Sequence, residues 1–302
     1  MVAGIISARN IRMGHLDTFI VGLGYVGMAL AEALAGCGMR VVGTTRSDKK
    51  ARALRLHGIE GHVVSRDGAD IAVVLGRLWS EGAALVYTAP PTLDERGHDA
   101  LLDAALETAR ERHARAIVYL STTGLYAERD GGWVDEESPT APRDDAARAR
   151  LVAEERCLRA AADLSITGVV FRLAGIYGPG RGLAERLRAG RVMLWGGGQQ
   201  IVNRIHRDDI VRFVRAALAA PVSASGIYNL ADDEPTSLRD VVTHLASELG
   251  LPLPAEAPMS QAPSATLTGN KRVRANKAKA AFDLGLLYPS WRNAQPQRAG
   301  AR

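Results

Sequence analysis

Short Val- and Ile-rich runs alternate along the chain with longer stretches rich in Ala, Leu and Arg, and this alternation restricts the possible folds more than any other feature. The apolar runs have the length of strands and lie at 18–23, 40–45, 61–65, 84–89, 116–122, 168–173 and 226–231. The intervening stretches have helical periodicity and lie at 25–36, 48–57, 69–79, 98–113 and 144–162. Strands this apolar are typical of a parallel sheet with helices on both faces. The sequence therefore predicts an α/β fold, a Rossmann-type doubly wound parallel sheet, with a smaller C-terminal lobe.

The regular alternation ends after Arg172, where Gly-rich loops flank a short basic helix. A later helix and the strand 226–231 are expected to return to the main sheet. The predicted divisions are a loose N-terminal extension at 1–16, the sheet domain at 17–173 plus 206–231, the smaller lobe at 174–205 plus 232–291, and a frayed tail at 292–302.

Composition argues against several classes of protein. None of the apolar runs approaches the roughly 20 residues of a membrane span, and the N-terminal stretch is too short for a signal peptide, so we expect a cytoplasmic protein without membrane contact. The net charge of +5 comes from Arg interleaved with Glu, and aromatic residues make up only 5%, so nucleic-acid binding is not expected. Cys37, Cys157 and the scattered histidines lack ligand spacing, so we predict no metal site.

Three glycines at GxGxxG spacing, Gly22, Gly24 and Gly27, lie where the first predicted strand turns into the first helix. In that context the first glycine permits the tight turn, the second lets the backbone approach a pyrophosphate, and the third lets helix and strand pack closely. The helix N-terminus would receive the phosphates. The sequence therefore predicts a dinucleotide-binding domain. The predicted cofactor contacts also include Tyr25, Val26, Ala89 and Pro90.

The end of the second predicted strand indicates which dinucleotide binds. A free ribose 2′-hydroxyl usually meets an acidic residue here, whereas a 2′-phosphate favours Arg. This chain has Thr45, Arg46 and Ser47, so NADP(H) is favoured over NAD(H). Asp48 lies nearby, but its position is typical of an acid in the first turn of a helix.

Four further segments, in order, resemble the short-chain dehydrogenase/reductase superfamily, specifically its extended and atypical branch of NAD(P)-dependent epimerase/dehydratase-like proteins. They are "VYLSTTGLYAERDGGWVDEESP", "FRLAGIYGPGR", "NRIHRDDIVR" and "GIYNLADDEPTSLRDVV". The resemblance runs from about Asp17 to Trp291. It implies a Rossmann domain, a nicotinamide cofactor and a small-molecule substrate bound against the smaller lobe.

The resemblance also locates catalytic positions and shows that two of them are altered. Thr122 lies four residues before Tyr126, where the family has a catalytic hydroxyl that orients the substrate. The family's Tyr and its Lys four residues later align with Ala146 and Arg150, so the phenol is absent. The span 51–270 contains no lysine, and we therefore expect none to replace the missing one. Arg150 is expected to hold a ribose hydroxyl.

Another residue must then donate a proton, if one is transferred. Tyr126, just after the strand that carries Thr122, is one candidate, although it and Tyr177 are structural in the wider family. Glu136 and Glu137 would serve only if burial raised a pKa, and His206 is expected to pack locally.

Two functions follow from this pattern. The first is an NADP(H)-dependent oxidoreductase or epimerase-like enzyme that acts on a small carbonyl or sugar-type substrate with non-standard proton transfer. The alternative is a non-catalytic protein that senses NADP(H). A nucleotide-sugar epimerase or dehydratase is disfavoured, because those reactions also need the phenol.

Overall fold

The structure is a computed structural model that describes residues 17–64, 71–94, 99–263 and 265–293. The predicted extension at 1–16 and most of the predicted tail lie outside the described residues. Within them, no helix is both long and apolar enough to cross a membrane.

The strands of the described chain are numbered here in order. They are β1 (Thr18–Val21), β2 (Val41–Thr45), β3 (Ile59–Val63), β4 (Ala84–Tyr87), β5 (Ala116–Thr122), β6 (Trp133–Val134), β7 (Thr167–Leu173), β8 (Gly175–Tyr177), β9 (Leu194–Trp195), β10 (Ile201–Val202), β11 (Arg204–His206), β12 (Gly226–Leu230), β13 (Thr236–Ser237), β14 (Glu256–Ala257) and β15 (Arg272–Val273).

The α-helices are numbered in the same way. They are α1 (Tyr25–Ala35), α2 (Asp48–Arg55), α3 (Ile71–Leu78), α4 (Ala100–Glu111), α5 (Asp145–Asp163), α6 (Leu183–Arg188), α7 (Arg207–Leu218), α8 (Leu238–Leu249) and α9 (Asn276–Phe282).

Seven strands form one central sheet in the order β12-β7-β5-β4-β1-β2-β3, and every neighbouring pair in it is parallel. The chain adds β2 and β3 on one side of β1 and then crosses to add β4 on the other side. This reversal opens a crevice at the carboxyl ends of β1 and β4, the place where doubly wound sheets bind ligands. The predicted α/β Rossmann-type fold is confirmed.

Helices cover both faces of this sheet, as its apolar strands predicted. One buried layer contains Leu30 and Leu34 of α1 with Phe213 of α7. The opposite layer contains Leu106 of α4 and Cys157 of α5, packed on the other faces of the same strands. Because strand side chains alternate between faces, both faces of β1, β4 and β5 are fully enclosed, and only the strand ends are free for function.

The small strands lie outside the central sheet and form two-stranded pairs: β8 with β11, β9 with β14, β10 with β13, and β6 with β15. Helices α6 and α8 pack together through Leu187 and Val242, which form a small separate core with Leu194. This region stands over the carboxyl ends of β5 and β7, where it forms one wall of a cleft.

One predicted strand is displaced. The sequence predicted a strand at 61–65, but β3 spans Ile59–Val63 and begins directly after Gly58. Gly58 has φ +70°, a left-handed conformation that reverses the chain after α2 and starts the strand two residues early. Residue 65 lies outside the described residues.

Candidate functional site

The three glycines meet different physical requirements. Gly22 has φ +101°, and a Cβ there would lie 2.8 Å from the amide nitrogen of Ala89. A Cβ on Gly27 would lie 2.3 Å from the carbonyl oxygen of Gly22. By contrast, a Cβ on Gly24 would have no atom within 4 Å. Gly22 and Gly27 are therefore required by the fold, whereas Gly24 borders open space.

Helix α1 begins with unsatisfied backbone donors. Its N-cap, Gly24, offers no side-chain acceptor. Within the described chain, the amide N–H groups of Tyr25, Val26 and Gly27 donate to no protein acceptor. Free amides and the positive end of the helix dipole form a binding site for an anion. Val26 contributes only its backbone, because its side chain is buried in the core.

The strand next to β1 supports this turn. The Thr88 hydroxyl donates to the Gly22 carbonyl oxygen, and the Ala89 amide donates to Val21 O at 3.1 Å. Pro90 follows and is exposed. Ala89 and Pro90 thus lie beside the glycine turn, at the reversal point of the sheet.

Tyr25 connects the glycine turn to the YGPG segment that follows β8. Its hydroxyl donates to Pro179 O at 3.0 Å, and the guanidinium carbons of Arg181 and Arg207 lie 5.1 and 5.2 Å from its ring centroid. Gly178 lies so close that a Cβ there would be 2.8 Å from the Tyr25 hydroxyl. The loop 178–182 therefore packs against the N-terminus of α1.

At the end of β2, Thr45, Arg46 and Ser47 follow one another into α2. The Thr45 hydroxyl accepts a hydrogen bond from the Ser47 amide at 3.3 Å, and Ser47 caps the helix with its own hydroxyl. Arg46 is exposed. Asp48 forms an ion pair with Arg52 in the first turn of α2, the position expected from the sequence. Arg46 thus has a cationic side chain that extends into solvent beside the crevice.

Thr122 ends β5 and is half-buried. Its hydroxyl oxygen accepts a hydrogen bond from the Gly124 amide at 3.1 Å, and its hydroxyl hydrogen has no acceptor in the described part of the chain. The side chain lines a cleft of about 810 Å³ between the carboxyl end of the sheet and the loops after β8 and β9. It therefore presents a free donor to that cleft.

The two altered positions lie on the first turns of α5. Ala146 is exposed, and no phenol takes its place. Arg150, one turn later, lies beside the buried phenol of Tyr119. Burial raises the pKa of Tyr119, and the Arg150 guanidinium partly opposes that rise. The Arg150 guanidinium thus acts on Tyr119, a side chain of β5. Its contact with a ribose stays a prediction.

Tyr126 is not brought to the cleft, which corrects the prediction that it donates a proton. Its side chain is 0% exposed, and its hydroxyl donates to Asn229 Oδ1 at 2.7 Å. The guanidinium carbon of Arg172 lies 5.0 Å from its ring centroid, and Arg172 itself is paired with buried Glu154 at 2.7 Å. Burial raises the Tyr126 pKa. This phenol stabilises the fold.

Two of the other candidate donors, Glu136 and His206, also have structural partners, and Glu137 is exposed. Glu136 accepts the Asn229 amide at 2.7 Å. His206 is 3% exposed and its Nδ1 accepts the Asp208 amide at 3.2 Å, the local packing expected from the sequence. Tyr177 lies in a separate cavity of about 330 Å³, on the other side of the loop 180–185 from the cleft.

The cleft that contains Thr122 is strongly cationic. Of its described lining residues, the charged ones are Arg181, Arg186, Arg191, Arg204, Lys271 and Glu185. Glu185 lies 3.7 Å from Arg188, so its charge is partly compensated from outside the cleft. A wall with five cations and one carboxylate favours an anionic occupant.

Lys271 was missed by sequence reasoning. It lies one residue beyond the lysine-free span, and nothing in its local sequence suggests a role. β15 pairs in parallel with β6, the strand that follows β5, and Arg272 lies opposite Trp133. This pairing brings the segment that contains Lys271 close to the residues that follow β5. Tertiary pairing therefore brings a lysine into the same cleft as Thr122, contrary to the expectation that no lysine is available.

The chain matches the model of a known protein family. The model is described as the NAD dependent epimerase/dehydratase family, and it matches residues 18–231. This range extends from β1 to the residue after β12 and so contains the glycine turn, Thr122 and the YGPG segment.

Similar proteins include two that have been named. A 3-diazoavenalumate denitrifying reductase from a Streptomyces species is 34% identical over 206 residues, which cover 62% of this chain and 66% of the reductase, just under two thirds of its length. Protein YeeZ from Escherichia coli strain K12 is 29% identical over 244 residues, which cover 78% of this chain and 84% of YeeZ.

Solved structures share the whole fold. A functionally unknown conserved protein from Silicibacter pomeroyi has a TM-score of 0.76 and 32% identity, with 92% of this chain and 96% of that chain covered. MoeE5 in complex with UDP-glucose and NAD has a TM-score of 0.75 at 19% identity, with 92% and 95% covered. The second similarity is one of fold alone.

Proposed function

Because this chain belongs to the NAD dependent epimerase/dehydratase family, we propose that it is an NADP(H)-dependent oxidoreductase that reduces a small anionic carbonyl compound. The observation that carries the proposal is that the N-terminus of α1 and the cleft that contains Thr122 are connected. Tyr25 joins the uncapped N-terminus of α1 to the loop 178–182, and Gly180 of that loop lines the cleft that contains Thr122.

The residues fit a dinucleotide at the glycine turn. The free amides of Tyr25, Val26 and Gly27 would hold the pyrophosphate, and the space beside Gly24 admits it. Arg46 would pair with a 2′-phosphate, with Thr45 beside it, which is the reason for preferring NADP(H) over NAD(H). When bound, such a cofactor supplies or accepts a hydride.

Thr122 would orient the substrate. Its oxygen is held by the Gly124 amide, so its one hydrogen is free to donate to a carbonyl oxygen at the end of β5. The cations of the cleft would fix a carboxylate or phosphate elsewhere on the same molecule. The name of the Streptomyces relative, a 3-diazoavenalumate denitrifying reductase, supports the reduction of an anionic compound, there at a diazo group rather than at a carbonyl.

A second function is a protein that binds NADP(H) without turnover. Ala146 and Arg150 favour it, since they stand where the family resemblance places the Tyr and Lys. In that case the cleft would admit an effector rather than a substrate.

The experiment is NADPH oxidation by the purified protein with a panel of aldehydes, ketones and keto-sugars, each with and without a carboxylate or phosphate, plus an aryl diazo carboxylate. We expect turnover, with anionic members preferred over their neutral counterparts by tenfold or more in kcat/KM. Tight NADPH binding in calorimetry without oxidation by any compound would favour the sensing function. No binding of either nicotinamide cofactor would reject both.

A further inference from the structure

The position of Lys271 is rigidly defined. Its carbonyl oxygen accepts a hydrogen bond from Asn203 Nδ2 at 2.8 Å, and the amide of Val273 donates to Asn203 Oδ1 at the same distance. The one asparagine side chain thus bridges the backbone on both sides of Arg272, next to the β15–β6 pairing. The side chain of Lys271 is only 7% exposed and lines the cleft with Thr122.

Among the described residues, the ammonium of Lys271 has no ion-pair partner within 4.0 Å, and Glu128 is the one carboxylate that acts on it. The ammonium donates no hydrogen bond within the described chain. The charged groups that act on it are Arg129, Arg143 and Glu128. Burial is the main effect that lowers the Lys271 pKa, the two guanidiniums lower it further, and Glu128 opposes them, which brings the pKa to about 8. This amine therefore holds its proton near neutral pH but releases it readily.

One of the cations that act on Lys271, Arg143, lies just before α5, the helix to which the resemblance assigns the missing phenol. Arg143 lies three residues before Ala146, just ahead of the first turn of α5, and Arg129 donates to Tyr126 O in the loop after β5. Arg143 thus belongs to the segment just before the helix to which the resemblance assigns the Tyr and Lys, and Arg129 belongs to the loop after the strand that carries Thr122. Neither arginine can replace Lys271 in acid–base chemistry, because guanidinium keeps its proton throughout the range in which proteins are folded.

We propose that Lys271 is the proton donor that replaces the absent phenol, an inference that rests on the proposed function. Carbonyl reduction needs a hydride at carbon, which a reduced nicotinamide would supply when bound, and a proton at the oxygen that receives the C=O electron pair. That oxygen, held by the Thr122 hydroxyl, takes a proton from Lys271 Nζ. The neutral amine then regains a proton from water through the open cleft. The other basic side chains of the lining are arginines, which remain charged.

Two substitutions separate the donation of a proton from the attraction of an anion. Lys271→Met removes both, whereas Lys271→Arg keeps the charge but cannot release a proton near neutral pH. We expect Lys271→Met to lower kcat about 100-fold or more. Lys271→Arg should lower kcat comparably while KM for an anionic substrate stays within about threefold of wild type. Lys277→Met, an exposed lysine of α9, is the control and should leave both constants unchanged.

The pH profile adds a signature that a purely structural role would not produce. Wild-type kcat/KM for reduction should fall as pH rises through about 8, because the acid form is then lost. This alkaline limb should disappear in the residual activity of Lys271→Met. Circular dichroism and NADPH binding are measured in parallel to show that both variants fold.

A second measurement does not depend on turnover. The chain contains five lysines, so acetic anhydride labelling at a series of pH values, followed by mass spectrometry, resolves each amine. Lys271 should become reactive with a midpoint near pH 8, below the ~10.4 of an ordinary lysine amine. A Lys271 that titrates together with the exposed lysines would overturn the inference.

The remaining outcomes distinguish the two proposals. If Lys271→Met retains wild-type kcat and its alkaline limb, Lys271 is not the acid, although the oxidoreductase function stands. If the wild type binds NADPH but reduces no compound of the panel, the proposed function fails and the acid role of Lys271 fails with it.

Discussion

At the start of α1, three glycines, a row of free amides and an Arg at the end of β2 retain the pattern of a dinucleotide site. At the end of β5, by contrast, Thr122 remains while Ala146 and Arg150 stand where the family resemblance places the Tyr and Lys. We refer to the first region (Gly22–Gly27 with 45–47) as the phosphate end and to the second (Thr122, Ala146, Arg150 and Lys271) as the catalytic end. Both lie along the carboxyl edge of one sheet.

The difference between the ends reflects how each is built. Apart from Arg46, the phosphate end is made by backbone atoms in one turn, and a substitution such as Gly27→Val there damages the fold as well as the ligand site. The catalytic end is made by side chains that project from separate segments, and any one of them can change while the fold persists. The fold therefore tolerates substitution less well at Gly22 and Gly27 than at the catalytic end, and the predictions below test that asymmetry.

The largest expected effect is at the phosphate end. Gly24→Val should weaken NADPH binding more than 100-fold in calorimetry, because its side chain would fill the space beside the free amides, while circular dichroism and Tm stay at wild-type values. Gly27→Val is the matched comparison and should also lower Tm by several degrees, since its Cβ would lie 2.3 Å from Gly22 O. Unchanged binding by Gly24→Val would mean that the glycine turn holds no pyrophosphate.

The next effect concerns Arg46. Arg46→Asp should weaken NADPH binding by roughly 10- to 100-fold, the range for loss of a charge-assisted hydrogen bond, and should make NADH the tighter ligand. Arg55→Asp, at the end of α2, changes the net charge equally and should alter neither affinity by more than about twofold. Equal affinities of the wild type for both cofactors would remove the basis for NADP(H) preference.

A gain of function tests the catalytic end. Ala146→Tyr with Arg150→Lys restores the family pair on one face of α5, since residues four apart are neighbours on a helix. Ala146 is exposed, so the larger side chain meets no buried neighbour. We expect about a tenfold rise in carbonyl reduction in the double variant only, because Tyr without the lysine keeps a high pKa. A similar rise from Ala146→Tyr alone would show that the lysine is dispensable.

The same contrast explains what the sequence could and could not predict. The strand–glycine–helix turn is local, so GxGxxG spacing and a run of Val and Ile were sufficient to predict it. Thr122 at the end of β5 was located by the family resemblance of the segment around it, which is also local in sequence. Lys271 was not predictable, because it reaches the cleft through the pairing of β15 with β6, segments more than 130 residues apart. The sequence left Tyr126 open between a structural role and proton donation for a related reason. Its partner Asn229 lies 103 residues away, and nothing near Tyr126 indicates burial.

The smallest expected effect is at Tyr126. Tyr126→Phe removes one buried hydrogen bond and leaves Asn229 Oδ1 without that donor, which should cost about 1–2 kcal/mol and lower Tm by a few degrees. Because the phenol is fully buried and does not line the cleft, kcat and its pH profile should not change.

Thr122→Val should have the opposite effect, on kinetics rather than on stability. It keeps the size of a side chain that lines the cleft but removes the free hydroxyl, so kcat/KM should fall about 100-fold with little change in Tm. Thermal melts and kinetics of the two variants side by side test the assignment. A Tyr126→Phe variant that melts like wild type but no longer turns over would show that the phenol takes part in catalysis. That result would contradict the assignment of Tyr126 as a buried residue that stabilises β12 through Asn229.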